Sequence, residues 1–169
     1  MDTIRRAASD ADWRDATALL HDHVEWMRNW TGFDPLAEQP ALLGELEGLA
    51  DRYGDDDAAV FLAHWDQVAV GTAAVRCHPD GDAELKRMYI RPVARGCGIA
   101  DRLIEAVVDL ATGRGCRSVW LETVRGAMDA AITVYRRNGF VEAPARAATL
   151  SMAGVVVMER PTRSAARCA

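Results

Sequence analysis

The chain has 169 residues, the size of one ordinary domain, and half of them are hydrophobic, enough to bury a substantial core. Its formal net charge is −5, with 20 Lys and Arg scattered among 25 Asp and Glu. That excludes generic nucleic-acid binding, which needs clustered basic residues to displace counterions from phosphate. No run of about 18 apolar residues offers a bilayer span, and the N-terminal residues lack an apolar signal core. The cysteines Cys77, Cys97, Cys116 and Cys168 form no C-x-x-C pair. No metal site or disulfide framework is expected, and reduced thiols in a cytoplasmic protein are.

Residues 3–8 read as a short strand. Ser9 and Asp10 supply N-cap chemistry for a helix whose apolar face carries Ala16, Leu19, Leu20, His23, Val24 and Met27. Gly32 and Pro35 interrupt it, and Leu42, Leu43, Leu46 and Leu49 form the stripe of a second helix. Residues 58–65 and 68–77 are β-rich runs joined at Asp66-Gln67, a hairpin. The turn-forming sequence at 78–82 leads into a third strand over 83–90, which completes an antiparallel meander and ends before Pro92. A loop with Gly96 and Gly98 opens a helix that carries Leu103, Ile104, Val107, Val108 and Ala111 on one face. Residues 117–124 form a strand, 127–138 a helix closed by Gly139 and Phe140 in a Schellman arrangement, and 155–160 a last strand. The expectation is a single α/β (α+β) domain over 1–160, a mixed and mostly antiparallel sheet flanked by helices, with a flexible tail over 161–169.

The chemistry concentrates at the strand–loop–helix segment. A helix N-terminus presents unpaired N–H groups and the positive end of the macrodipole, a site for phosphate. Glycines at 96 and 98 let a ligand approach the backbone, and Arg95 adds charge. The alternative is that two glycines only make a tight connection.

The run Glu84-Leu85-Lys86-Arg87-Met88-Tyr89-Ile90-Arg91-Pro92, followed by Arg95-Gly96-Cys97-Gly98-Ile99-Ala100, resembles the central motif of the GNAT acyltransferase superfamily. A second segment, 130–140, is similar to that family's helix ending in Tyr and then Gly-Phe, here Tyr135, Gly139 and Phe140. The resemblance implies a sheet splayed at an acyl-CoA site. It places the pyrophosphate of acetyl-CoA on Arg95, Gly96, Cys97, Gly98, Ile99 and Ala100, and the pantetheine arm along Met88, Tyr89 and Ile90. It also implies a general base at Glu84, acting directly or through water, and a general acid at Tyr135. Glu122 is the other carboxylate for the base, Glu84 is equally readable as a solvated strand-end carboxylate paired with Lys86, and the alternative for Tyr135 is a core-facing aromatic. Alternation along the strand puts Glu84, Lys86 and Met88 on one face.

The resemblance assigns the acceptor side to the first two helices and the last hairpin, residues 21–49 and 141–152. His21, His23, Glu25, Trp26, Arg28 and Trp30 are polar or aromatic candidates there, each expected at the surface or its boundary. Arg146 either clamps a substrate carboxylate or faces solvent. The function implied is acetyl transfer to the primary amine of a small molecule. Protein or peptide amine acetylation and a non-catalytic acyl-CoA sensor are the alternatives, and a homodimer is the family expectation.

Overall fold

A computed structural model describes residues 2–32, 34–146, 149 and 153–163, with backbone only for Asp2, Trp30, Thr31 and Glu38. Strand β1 (Asp2–Arg6) leads into helix α1 (Asp10–Thr31), then the short helices α2 (Pro35–Glu38), α3 (Ala41–Glu47) and α4 (Leu49–Tyr53). The meander β2 (Ala58–Trp65), β3 (Val68–Cys77) and β4 (Ala83–Ile90) follows, and a single 3₁₀ turn at Pro92–Ala94 connects β4 to α5 (Ile99–Gly113). The chain ends with β5 (Ser118–Val124), α6 (Asp129–Arg137), β6 (Val141–Ala143) and β7 (Val155–Pro161). Seven strands form one sheet in the order β1-β2-β3-β4-β5-β7-β6. Every neighbouring pair is antiparallel except β4 and β5. No described helix is long and apolar enough to cross a membrane.

The two faces of the sheet carry separate cores. In β2, Ala58, Val60 and Leu62 pack with α1, α3 and α4, while Ala59, Phe61 and Ala63 pack with α5. This is the period-two alternation of a strand buried on both sides. The α5 stripe Leu103, Ile104, Val107, Val108 and Ala111 is fully buried. Ser9 caps α1 as expected, in a capping box with Asp12. At the end of α6, Phe140 N donates to Tyr135 O and Gly139 N to Arg136 O, the paired bonds of a Schellman motif. Asp66 and Gln67 both take positive φ, which matches a two-residue hairpin turn to the twist of β2 and β3.

Four expectations are corrected. The Leu-rich second helix is three short ones: Pro35 starts α2, Gly48 separates α3 from α4, and Leu43 is exposed. Of the hairpin expected over 141–152, the described residues form only a three-residue strand, β6, which pairs with β7. Pro161 is the last residue of β7, and Thr162 is buried with its hydroxyl donating to Cys116 O at 2.6 Å, so neither belongs to a loose tail. Residues 164–169 of that tail lie outside the described residues. The fourth correction concerns β4. Thr72 and Ala74 of β3 pair with Tyr89 and Lys86, so Ala73 alone stands opposite Arg87 and Met88. This is a β-bulge, and Arg87 takes φ 54° there. Glu84 and Lys86 therefore do not share a face with Met88, which packs in the α5-side core with Leu85.

The bulge is held from outside the sheet. Arg87 Nε and Nη2 each donate at 2.9 Å to the two oxygens of Glu45 on α3, and Tyr53 Oη donates to Oε1 at 2.7 Å. Burial would raise the Glu45 carboxyl, but the Arg87 hydrogen bonds and charge with the Tyr53 hydroxyl hold it down at about 2. Removing one partner from such a pair leaves the other charge buried and uncompensated. Glu45→Ala is therefore expected to cost about 3–5 kcal/mol in urea unfolding at neutral pH. Because the folded-state pKa lies below the ordinary 4.5, this contribution is complete above about pH 4.5 and fades as pH falls toward about 2. The gap between wild type and variant should close over that interval.

Candidate active site

The parallel pair β4–β5 is joined only at Ala83–Val119 and Glu84–Trp120. Beyond it the bulge bends β4 away, while β5 stays paired with β7 along all seven of its residues. The strands therefore part like a V. A cavity of about 1060 Å³ fills the opening, roofed by residues of α1, α2 and α3.

Of the residues the sequence singles out, Glu84, Met88, Tyr89, Ile90, Arg95, Gly96, Gly98, Ile99, Ala100 and Tyr135 all line this cavity, as does Glu122. Cys97 does not. Its side chain is exposed, with Sγ turned back on Arg95 O. Gly96 and Gly98 have φ near 80° and 75°, a region that side-chain-bearing residues avoid, and a Cβ at either would meet no other atom. Gly98 is the N-cap of α5 and offers no side-chain cap, so the first-turn amides stay open to a ligand. Asp101, in that same turn, would repel an anion, but it is neutralised. Asn138 Nδ2 donates to it at 2.6 Å and Arg137 Nη2 at 2.7 Å, which lowers its pKa and ties α6 to the start of α5.

Arg95 is anchored at the mouth. Its Nε donates to Ile90 O at 3.0 Å, and its guanidinium lies 4.8 Å from the Trp26 ring centroid and 5.9 Å from that of Tyr89. His23 stacks on Tyr89 with centroids 5.1 Å apart. Its burial, with the charges of Arg87 and Arg95, pushes its pKa down to about 3. Of the acceptor candidates, His23 and Trp26 thus line the cavity. His21, Glu25 and Arg28 are exposed, and the Trp30 side chain lies outside the description. On the far wall Tyr135 is buried edge-on to Phe140 at 5.8 Å, and burial raises its hydroxyl to about 12.

At the closed end of the V, Glu84 is 15% exposed. Its Oε2 lies 3.2 Å from His78 Nε2 and its Oε1 lies 3.2 Å from Lys86 Nζ. His78 was legible only as a turn residue. Arg146 does not face solvent: its guanidinium sits 4.7 Å from the Trp120 ring centroid and pairs with Asp82 and Glu159. No group of three or more His, Cys, Asp or Glu able to hold a metal occurs among the described residues.

The profile of the Acetyltransferase (GNAT) family matches residues 23–140. An IAA acetyltransferase of Azospirillum brasilense is 35% identical over 137 residues, covering 80% of this chain and 83% of that protein. An acetyltransferase of the GNAT family from Staphylococcus aureus superposes with a TM-score of 0.78 at 18% identity, covering 96% of this chain and 100% of the other. The PaiA N-acetyltransferase of Thermoplasma acidophilum, solved with coenzyme A, gives 0.72 at 18% identity over 95% of this chain and 99% of the other.

His23 gives a direct test of the cavity's electrostatics. Its ring should stay neutral, with flat imidazole chemical shifts in an NMR titration from pH 8 down to about 4. The unfolded chain protonates near 6.5, so stability from this residue is complete above that pH and declines as pH falls toward about 3. His23→Phe should flatten that part of the stability profile.

Proposed function

The chain belongs to the GNAT family of acetyltransferases and is an acyltransferase, and from that premise we propose that it moves an acetyl group from acetyl-CoA to the primary amine of a small molecule. One observation carries this reading: the gap between β4 and β5 has the open start of α5 on its rim and Tyr135 in its wall. Pyrophosphate fits the uncapped amides at 98–100, where backbone dipoles and the macrodipole meet its charge. The edge of β4 at Met88, Tyr89 and Ile90 that β5 leaves unpaired supplies backbone groups for the pantetheine amides, which complete the sheet there. A backbone N–H of that edge polarises the thioester carbonyl as negative charge develops on its oxygen. The roof from α1, α2 and α3 supports a small acceptor rather than a protein terminus.

The amine must be neutral to attack, and the Glu84 end of the cleft is where its proton is taken. Tyr135 serves the leaving sulfur. A phenol raised to about 12 keeps its proton throughout the working pH range. A thiol of ordinary acidity, with a pKa of about 8.5, leaves as the weaker base, so Tyr135 acts chiefly by donating a hydrogen bond to the departing thiolate.

Release of thiol from acetyl-CoA over a panel of primary amines (aromatic amino acids, arylalkylamines and polyamines) tests the reading. Tyr135→Phe should lower kcat by about 10²–10⁴-fold with little change in the KM for acetyl-CoA. Gly98→Ala should do the reverse, raising that KM and costing about 1–2 kcal/mol of stability from the strained φ. A protein that acetyl-CoA does not stabilise against heat would overturn the proposal, and full activity in Tyr135→Phe would remove the acid from it.

A further inference from the structure

We propose that the proton acceptor for the incoming amine is Nδ1 of His78, with Glu84 as the positioning residue that holds the ring. The proposal rests on the acetyl-transfer reading above and deepens it.

Four observations carry it. First, both Glu84 oxygens already hold a donor, Oε2 that of His78 and Oε1 that of Lys86, each at 3.2 Å. Protonating the carboxylate would remove the charge that strengthens both contacts. Second, a neutral imidazole beside a carboxylate places its proton on the nitrogen facing it. With Nε2–H donated to Glu84, the lone pair lies on Nδ1, and no described residue hydrogen-bonds Nδ1. Third, the ring reaches the cavity and is 32% exposed, so a substrate nitrogen can approach it and its proton can pass on to solvent. Fourth, its orientation is fixed by packing and by its turn. The ring lies against Trp120 with centroids 6.2 Å apart, and Trp120 is covered by Arg146, which Asp82 and Glu159 hold. The backbone is closed by His78 N donating to Asp82 O at 2.8 Å and Gly81 N to His78 O at 3.0 Å. A carboxylate that fixes the tautomer, and an imidazole whose other nitrogen faces the reactant, is the arrangement that makes histidine an effective base.

The step balances without a further reagent. The amine nitrogen bonds the acetyl carbon, its proton passes to His78 Nδ1, and the C–S bond breaks. The electron pair stays on sulfur, which takes the Tyr135 hydrogen bond. The imidazolium is stabilised by Glu84 until its proton leaves to water, and the free thiolate is protonated from solvent. The charged groups around the ring are Glu84 and Lys86 on β4, Asp80 and Asp82 in its own turn, Glu122 on β5, Arg117 before β5 and Arg146 after β6. Arg117 and Arg146 are both paired with Asp82, so Asp80, Glu84, Lys86 and Glu122 are the remaining charges around the ring, with Glu84 in direct contact with it.

The test is the pH dependence of kcat/KM in the thiol-release assay, with acetyl-CoA and the amine of that panel turned over fastest. Heat stabilisation by acetyl-CoA controls for folding and donor binding. His78→Asn should keep that stabilisation and the KM for acetyl-CoA, lose about 10²–10⁴-fold in kcat, and lose the limb on which activity rises with pH. His78→Ala should recover activity when imidazole is added. Glu84→Gln, whose amide oxygen still accepts Nε2–H, should lose less than His78→Asn and keep the limb. Two results overturn the proposal and leave acetyl transfer standing: a His78→Asn enzyme that keeps the limb, or a Glu84→Gln enzyme that is the more damaged of the two. If wild type bound acetyl-CoA but acetylated no amine, the acetyl-transfer reading would fail and this assignment with it.

Discussion

The fold's function depends on the ion pair between Arg87 and Glu45. A bulge in a central strand is costly, because one backbone residue loses its place in the ladder and a non-glycine residue is driven to positive φ. Here the residue so strained is Arg87, and it is also the one whose guanidinium reaches α3. The pair is nearly dry, and Tyr53 and Gln39 complete the donors and acceptors around it. Its Coulombic gain is partly offset by desolvation, as for any buried pair. Its larger consequence is geometric: it fixes where β4 bends, and hence where β4 and β5 stop pairing. The same contact pins α3 above the opening, so one interaction both opens the cleft and positions its roof.

The donor half follows from backbone alone. Once β4 departs from β5, the 3₁₀ turn and the two positive-φ glycines swing the chain directly into α5, whose first amides then face the cleft. The side chains nearby are occupied elsewhere: Arg95 by Trp26 and Ile90, Asp101 by Arg137 and Asn138. The binding proposed there is thereby left to amides and dipoles, which do not have to reorganise when a ligand arrives.

Much of this was legible in the sequence, because it rests on local signals. Strands 58–65, 68–77 and 83–90 are bounded as expected, since their turns carry strong local chemistry at 66–67 and 78–82. The loop, α5 and the α6 terminus are local too, and the motif residues around them converge on one cavity. What escaped was non-local. Nothing in Lys86-Arg87-Met88 announces a bulge, because its anchor lies 42 positions away on α3. The Leu stripe at 42–49 looked continuous because its periodicity survives the break at Gly48. His78 sat inside a turn signal, and only the sheet brings it to Glu84 and Trp120. β6 has three residues, too few for alternation to register, so only the resemblance placed a hairpin there, and it exists through β7.

The gap between β4 and β5 has a further consequence, because a closed sheet would separate its two faces completely. On the α5 side lie Met88, Ile90, Ile99 and Tyr135; on the other lie Arg87, Tyr89 and the residues of α1 and α3. Glu84 and Trp120 are register partners, and the neighbours of Trp120 on β5, Val119 and Leu121, belong to the α5-side core. Alternation therefore directs Glu84 and Trp120 to the face that carries α1 and α3. The proposed base and acid thus lie on opposite faces of the sheet and meet only through the gap. Displacement at a thioester needs this disposition, because the nucleophile's proton and the leaving sulfur lie on different sides of the tetrahedral carbon. A sheet paired along its full length would carry the same residues and keep them apart. The strained residue in β4 is accordingly what allows the two faces to act on one bond.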